Sequence, residues 1–158
     1  MQKLYKAVAG HICYHEAWIA GDKMYEHRGV VGDSGETREL AKPKGISDEQ
    51  AITAILKPAI DAGFKAIRSD DHATLIVEFK ITGAGTKADI EKRHRLQDRL
   101  DGTLGWTGLG NCDGGSFGSG TVEVCCFVVD FDVAKRVIES DLAETEFADF
   151  SRIYDENA

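Results

Sequence analysis

The sequence predicts an α+β protein in two small units: an antiparallel meander with one helix over residues 1–68, and a β-α-β-β-α-β unit over residues 69–158. Three observations carry this. Strand-like alternation broken by turn residues fills the first forty positions, and a single capped helical stripe follows. After residue 69 the apolar spacing switches between period two and helical spacing in the order strand, helix, hairpin, helix, strand. A glycine-dense tract feeds the most apolar strand of the chain, Thr121 to Asp130.

In the first unit, alternating stretches between Leu4 and Ile19 read as strand. Ala20-Gly21-Asp22-Lys23 is a turn, Met24–Val31 a further strand, and Asp33-Ser34-Gly35 a second turn before a strand from Glu36 to Leu40. Ser47 with Gln50 three residues on spells a capping box. Ile52, Ile55, Leu56, Ala59 and Ile60 then form an apolar stripe at helical spacing, closed at Gly63. Pro58 is expected to kink or break the last turn.

The second unit opens with a strand, Ala73–Ile81, that places Leu75, Val77, Phe79 and Ile81 on one face. A helix is predicted from Thr86 to about Leu100. Eight glycines between Gly102 and Gly120 argue against helix there, so a short irregular strand (about 104–112) and a wide hairpin loop are expected instead. In the next strand Val122, Val124, Cys126 and Val128 point one way, and Cys125, Phe127 and Val129 the other. A strand apolar on both faces predicts cover on both. Asp132 opens a helix with Val133, Val137, Ile138 and Leu142, and a last strand is expected near Phe150–Tyr154. This order is similar to the ferredoxin-like split βαβ, a fold that hosts many unrelated functions and does not by itself select one.

The first unit also carries a family signature. Trp18, then Gly29-Val30-Val31-Gly32-Asp33-Ser34-Gly35-Glu36, then the capped helix and Gly63-Phe64, resembles the WGR domain over about residues 1–68. The resemblance implies a small sheet with one packed helix and, as in some eukaryotic members, DNA-end binding. Arg28 and Val30 stand where the family has its Trp and Arg, so Arg28 is the residue the resemblance offers for nucleic-acid contact.

Charge separates the two units. Residues 1–68 hold ten Lys and Arg against nine Asp and Glu; residues 69–158 hold nine against eighteen. An acidic second half is a poor match for a phosphate backbone and a good one for a basic protein partner. No stretch approaches the roughly eighteen apolar residues of a membrane span, and no leader-type segment opens the chain, which predicts a cytoplasmic protein without membrane association. Cys13, Cys112, Cys125 and Cys126 lack paired spacing, so reduced thiols are expected rather than a disulfide framework.

The candidate chemistry is sparse. His11, Cys13 and His15 share one face of a strand and are of metal-ligating type, but no fourth ligand is evident. Cys112-Asp113 at the lip of the glycine loop is the candidate nucleophile site. Trp106, Asn111, Asp113, Gly114 and Gly115 are the candidate ligand- or partner-binding residues around it. Gly83-Ala84-Gly85-Thr86-Lys87-Ala88 after a strand spells a dinucleotide fingerprint, but no strand ending in an acid follows about twenty residues on. Lys92-Arg93-His94-Arg95 with Arg99 is basic but interleaved with acids, which predicts a salt-bridged helix face.

The reading that follows is a small acidic binding or regulatory protein of the immunity or adaptor kind, non-enzymatic and without a cofactor, that recognises a protein partner and can homodimerise. The alternatives are a small enzyme or ligand-binding protein using the loop at Cys112 and Asp113, and nucleic-acid binding through the WGR-like half.

Overall fold

Alternation in the first forty residues resolves into four antiparallel strands in sequential order. They are β1 (Gln2–Val8), β2 (His11–Ala20), β3 (Lys23–Val30) and β4 (Glu36–Ala41). The computed structural model describes residues 1–158, and the chain divides into two compact units, Met1–Arg68 and Ser69–Ala158. Ala9 and Gly10 both take positive φ, 50° and 83°, which makes the β1–β2 connection a two-residue hairpin turn whose twist matches its strands.

Helix α1 (Asp48–Asp61) packs on this sheet through Ile52, Leu56 and Ala59, against Leu4 and Ala17, with Ile19, Ile55 and Phe64 at the margin. Its capping box forms as expected: Ser47 Oγ accepts from Gln50 N and the Gln50 amide oxygen accepts from Ser47 N. Pro58 does not end the helix, which runs through it to Asp61. The proline sits in the last turn, where losing one donor removes a single intrahelical bond. Gly63 at φ +94° then turns the chain, and Phe64 N donates to Ala59 O.

The second unit starts with a short 3₁₀ turn, Ser69–Asp71, and continues β5 (Ala73–Lys80), α2 (Lys87–Trp106), β6 (Gly110–Cys112), β7 (Phe117–Gly118), β8 (Thr121–Val128), α3 (Phe131–Leu142) and β9 (Arg152–Asp155). The sheet order is β6-β8-β5-β9, with β7 also paired to β8, and every pairing is antiparallel. Apart from the two-residue β7, this is the β-α-β-β-α-β order that the sequence predicts. Leu75, Val77, Val124, Cys126 and Val128 are wholly buried on one face, beneath Leu96, Leu100 and Leu104 of α2 and Ala134, Ile138 and Leu142 of α3. The opposite face of β8, Glu123, Cys125 and Phe127, is only partly buried and carries neither helix.

The predicted strand at 104–112 is corrected to helix over its first part. α2 continues through Gly102 and Gly105 to Trp106, and only Gly110–Cys112 is strand. The physical reason is Leu104, four residues beyond Leu100 and fully buried with it. Burying one leucine contributes about 1.5–3 kcal/mol, which offsets two helical glycines at about 1 kcal/mol each. Leu109 N then donates to Leu104 O, and the Asp101 carboxylate accepts from Cys112 N at 3.0 Å, tying the helix end to the new strand.

The basic stretch of α2 is spent on the fold. Lys92 reaches Asp149, Arg95 grips Glu146 through both carboxylate oxygens, and Arg99 does the same to Asp141, whose carboxylate also accepts from Thr103 Oγ1. Arg95 holds the Glu146 carboxyl below its ordinary range. No helix of the protein is long and apolar enough to cross a membrane.

Gly102 is exposed and helical, and a Cβ there would meet nothing within 4 Å. Gly102→Ala is therefore expected to raise stability by about 0.5–1 kcal/mol, read as a shift in the urea midpoint. A lowered midpoint would contradict the helical assignment of this glycine.

Candidate functional site

Three places bring polar side chains together: the buried pair of strands β2 and β3, the disulfide at the edge of the second sheet, and the helix-free face of that sheet.

Between β2 and β3, register sets Glu16 opposite His27 and Tyr14 opposite Gly29. His27 Nδ1 lies 2.7 Å from Glu16 Oε1, and Nε2 lies 2.6 Å from the Ser34 carbonyl and 3.0 Å from Tyr14 Oη. Each ring nitrogen thus has a polar partner within hydrogen-bond distance. Lys3 Nζ reaches the second Glu16 oxygen at 3.1 Å. Tyr14 donates to the Asp33 carbonyl, and its hydroxyl is pushed up to about 12, by burial first and by the Glu16 and Asp33 charges second. It is therefore a neutral donor. His27 is 0% and Tyr14 1% exposed, so a carboxylate–imidazole–phenol chain that could suggest catalysis has no route for a substrate.

What this cluster does is hold the glycine-rich loop between β3 and β4. Tyr14 and His27 bind consecutive carbonyls, those of Asp33 and Ser34. The backbones at Gly29 and Gly35 meet beneath Tyr14: a Cβ on Gly35 would sit 2.3 Å from both Arg28 O and Tyr14 Oη, and one on Gly29 would sit 2.8 Å from Gly35 Cα. Arg28 itself is exposed on β3, with Glu36 across the pairing.

The metal candidates do not assemble. His11, Cys13 and His15 share a face of β2, but His15 is buried against Phe64 and bonded to Glu26 at 2.7 Å, and Glu26 also pairs with Arg38. His15 lies on the helix-covered side of the sheet, with Leu4 as its strand partner. No three His, Cys, Asp or Glu side chains are placed to hold one ion. The glycine tract Gly83–Thr86 is the turn into α2, capped by Thr86 and Asp89. The strand before it has only antiparallel neighbours, unlike the parallel unit a dinucleotide needs.

The expectation of four reduced thiols is corrected. Cys112 of β6 and Cys126 of β8 are register partners with Cα atoms 4.0 Å apart, and their sulfurs are joined as a disulfide. Asp113 N donates to Cys125 O, so the next pair along, Cys112 and Cys126, is of the closely spaced type without mutual hydrogen bonds. Cys112 thus lies in a strand, with its sulfur covalently engaged rather than free as a nucleophile. Spacing alone could not show this, because the partner arrives through sheet pairing. Cys13 and Cys125 are the free cysteines.

The chain departs from regular pairing just after this bond. Cys125 N donates to Gly114 O while Cys125 O accepts from Asp113 N, so Asp113 and Gly114 together oppose one residue, a β-bulge. Gly115 follows at φ +156°, where a Cβ would lie 2.0 Å from Glu123 O. Gly115 is therefore a position of close backbone approach, while Gly114 and Gly118 stand in open space.

The bulge projects Asp113 beside the helix-free face. There Glu78 pairs with Arg152 at 2.7 Å, Arg152 covers the Tyr154 ring at 4.2 Å, and Glu123 accepts from Tyr154 Oη and Ser116 Oγ. Ile76 and Cys125 sit at the centre as register partners, with Phe127 one pair further along. The Cys125 thiol is pushed up, by burial first and then by Glu156, Asp113 and Glu123 around it. Of the binding residues the sequence suggests, Asn111 is exposed on β6 opposite Phe127, Asp113 is exposed in the bulge with Gly114 and Gly115, and Trp106 is exposed at the end of α2. Glu78, Arg152, Tyr154 and Phe127 were missed, since only strand order sets them side by side.

Comparison with protein-family models, curated proteins and solved structures finds no match for the chain.

Two predictions test this geometry. Gly35→Ala is expected to cost about 2–4 kcal/mol, because its Cβ meets backbone and a buried hydroxyl at positive φ. Gly45→Ala, at φ +80° but in open space, is expected to cost about 1 kcal/mol. Equal losses in thermal denaturation would contradict the clamp. Thiol titration of the unfolded, unreduced protein is expected to count two free groups, rising to four on reduction, with peptide mapping linking Cys112 to Cys126.

Proposed function

We propose that this protein is a non-enzymatic binding or regulatory protein, and that it recognises a basic segment of a protein partner on the helix-free face of its second sheet. The single observation that carries the reading is the composition of that face. Ile76, Cys125, Phe127 and the Tyr154 ring form an apolar and aromatic centre, and Glu156, Asp113 and Glu123 stand around Cys125, whose thiol is pushed up by burial first and by these acids second. An apolar centre with a charged rim is how protein interfaces are commonly built.

Charge supports the sign of the partner. The second unit carries eighteen acidic against nine basic residues, and three of the basic ones, Lys92, Arg95 and Arg99, are bound to Asp149, Glu146 and Asp141 on the side of the sheet where the helices pack. On the helix-free face Arg152 is held by Glu78. The immunity- and adaptor-like kinds of role, in which a small acidic protein occupies a basic surface, suit this arrangement.

The test is capture of the tagged full chain's partner from native lysate with nuclease present, repeated with Asp113→Lys and Phe127→Ser. One stoichiometric protein that is retained by the wild type, is lost with both variants and weakens steeply with salt is the expected result. A partner held equally by both variants would remove the face from the reading. Recovery abolished by nuclease and by Arg28→Gln would move the function to nucleic acid and the first unit.

A further inference from the structure

The second sheet ends at β6 on one side and at β9 on the other. The β6 edge is bulged. The β9 edge is regular, and its backbone says which groups face outward. Glu156 N donates to Thr74 O at 2.9 Å, so Thr74 and Glu156 form a hydrogen-bonded pair in register with the β5–β9 ladder. Such pairs alternate along an antiparallel ladder. Arg152, Tyr154 and Glu156 therefore turn their backbone groups toward β5, while Ile153 and Asp155 turn theirs away from the sheet. Asp155 O holds Ala158 N at 3.4 Å and, as a carbonyl, has a second lone pair to offer.

The side chains along this edge complement themselves. Arg152, Tyr154 and Glu156 alternate onto the helix-free face, Arg152 beside Glu78 and Tyr154 beside Ile76. In a two-fold antiparallel pairing centred on Tyr154, that ring meets Tyr154 of a second copy, and Arg152 meets Glu156 of the second copy at both ends. Opposite charges and aromatic rings directly across a ladder are favourable cross-strand pairs. The same register hydrogen-bonds Ile153 to Asp155 across the axis in both directions, which uses the backbone groups that β5 leaves over. Moving the register by two residues either way loses both ion pairs.

The charged groups are available for this. Arg152 gives Nη2 to Glu78 at 2.7 Å, yet its side chain is 59% exposed, and Glu156 is exposed. A guanidinium carries five donors and can hold two carboxylates. The free edge of the first sheet, β4, lacks the symmetry. There a two-fold pairing centred on Arg38 or on Glu39 sets like charges face to face, and one centred on Leu40 sets Arg38 against Lys42.

We infer that the free edge of β9 is a self-association surface, on which two copies of the chain pair antiparallel about Tyr154 with Arg152–Glu156 ion pairs at both ends. The two sheets become one, with both helix-free faces on the same side. The seam is short. Interfaces below about 1,200 Å² belong to weak and transient pairs, so a dissociation constant in the tens to hundreds of micromolar is expected. The pairing is independent of partner binding, and either can fail without the other.

The test is sedimentation of the full chain from micromolar to millimolar concentration. The mean mass is expected to rise toward that of a dimer, and amide exchange at Ile153 and Asp155 to slow as it does. Asp155→Pro removes an outward N–H while leaving the bonds to β5 in place, and is expected to weaken the dimer at least tenfold. Asp155→Ala loses the same side chain but keeps the N–H, and is expected to stay within twofold of the wild type. Glu156→Arg sets a cation against Arg152 of the second copy and is expected to weaken the dimer at least fivefold. A mass that stays monomeric to millimolar concentration, a dimer indifferent to Asp155→Pro and Glu156→Arg, or one lost with Phe127→Ser instead would overturn the pairing.

Discussion

The second unit depends on the pairing of β5 with β8. Eight residue pairs, from Ala73–Val128 to Lys80–Thr121, put Leu75, Val77, Val124, Cys126 and Val128 on one continuous apolar surface. Both helices are held by that surface, since α2 and α3 present only narrow leucine, isoleucine and alanine stripes and have nowhere else in the unit to bury them. Because strand side chains alternate, the same pairing sends Glu78, Glu123, Ile76, Cys125 and Phe127 to the other side. One register therefore determines both the core and the composition of the face assigned to partner binding. A slip by one residue would exchange them, which is why register is strongly specified where one face is buried.

The first unit uses a different device. Its sheet has one side packed on α1 through aliphatic residues, while on the other it buries Tyr14, Glu16 and His27 as a connected polar set. Each polar atom of that set has a partner, and no buried side-chain nitrogen or oxygen in the protein lacks one. A satisfied network of this kind adds less stability than its hydrogen bonds suggest, because desolvating the ions costs several kcal/mol per ion. Its effect is directional. It holds the Asp33 and Ser34 carbonyls against Tyr14 and His27, and so fixes the conformation of the glycine-rich loop.

The edge of the second sheet shows how covalent and steric constraints combine. The disulfide joins the three-residue strand β6 to the sheet centre, and the bulge at Asp113 and Gly114 bends the chain immediately after. A short bulged edge is a poor template for further strand pairing. The helix-free face borders this segment, with Asp113 among the acids around Cys125.

Elements with a local cause were legible in the sequence. The capping box at Ser47, the α1 stripe, the alternation in β5 and β8 and the order of the second unit follow from spacing and cap chemistry within a few residues. The tertiary structure decided whatever depended on distant partners. Gly102 and Gly105 became helical because Leu104 gains a core to enter, and Pro58 was tolerated because the turn after it is tied through Ala59 and Phe64. Cys112 found Cys126 through a sheet register, and His15 was turned inward onto Glu26 by its place between β1 and β3. Glu78 lies 74 residues before Arg152 in sequence, and it adjoins Arg152 and Tyr154 only because β9 returns beside β5. Local propensities act over one or two turns of chain, while sites are assembled by contacts whose free energy appears only when the sheet has closed.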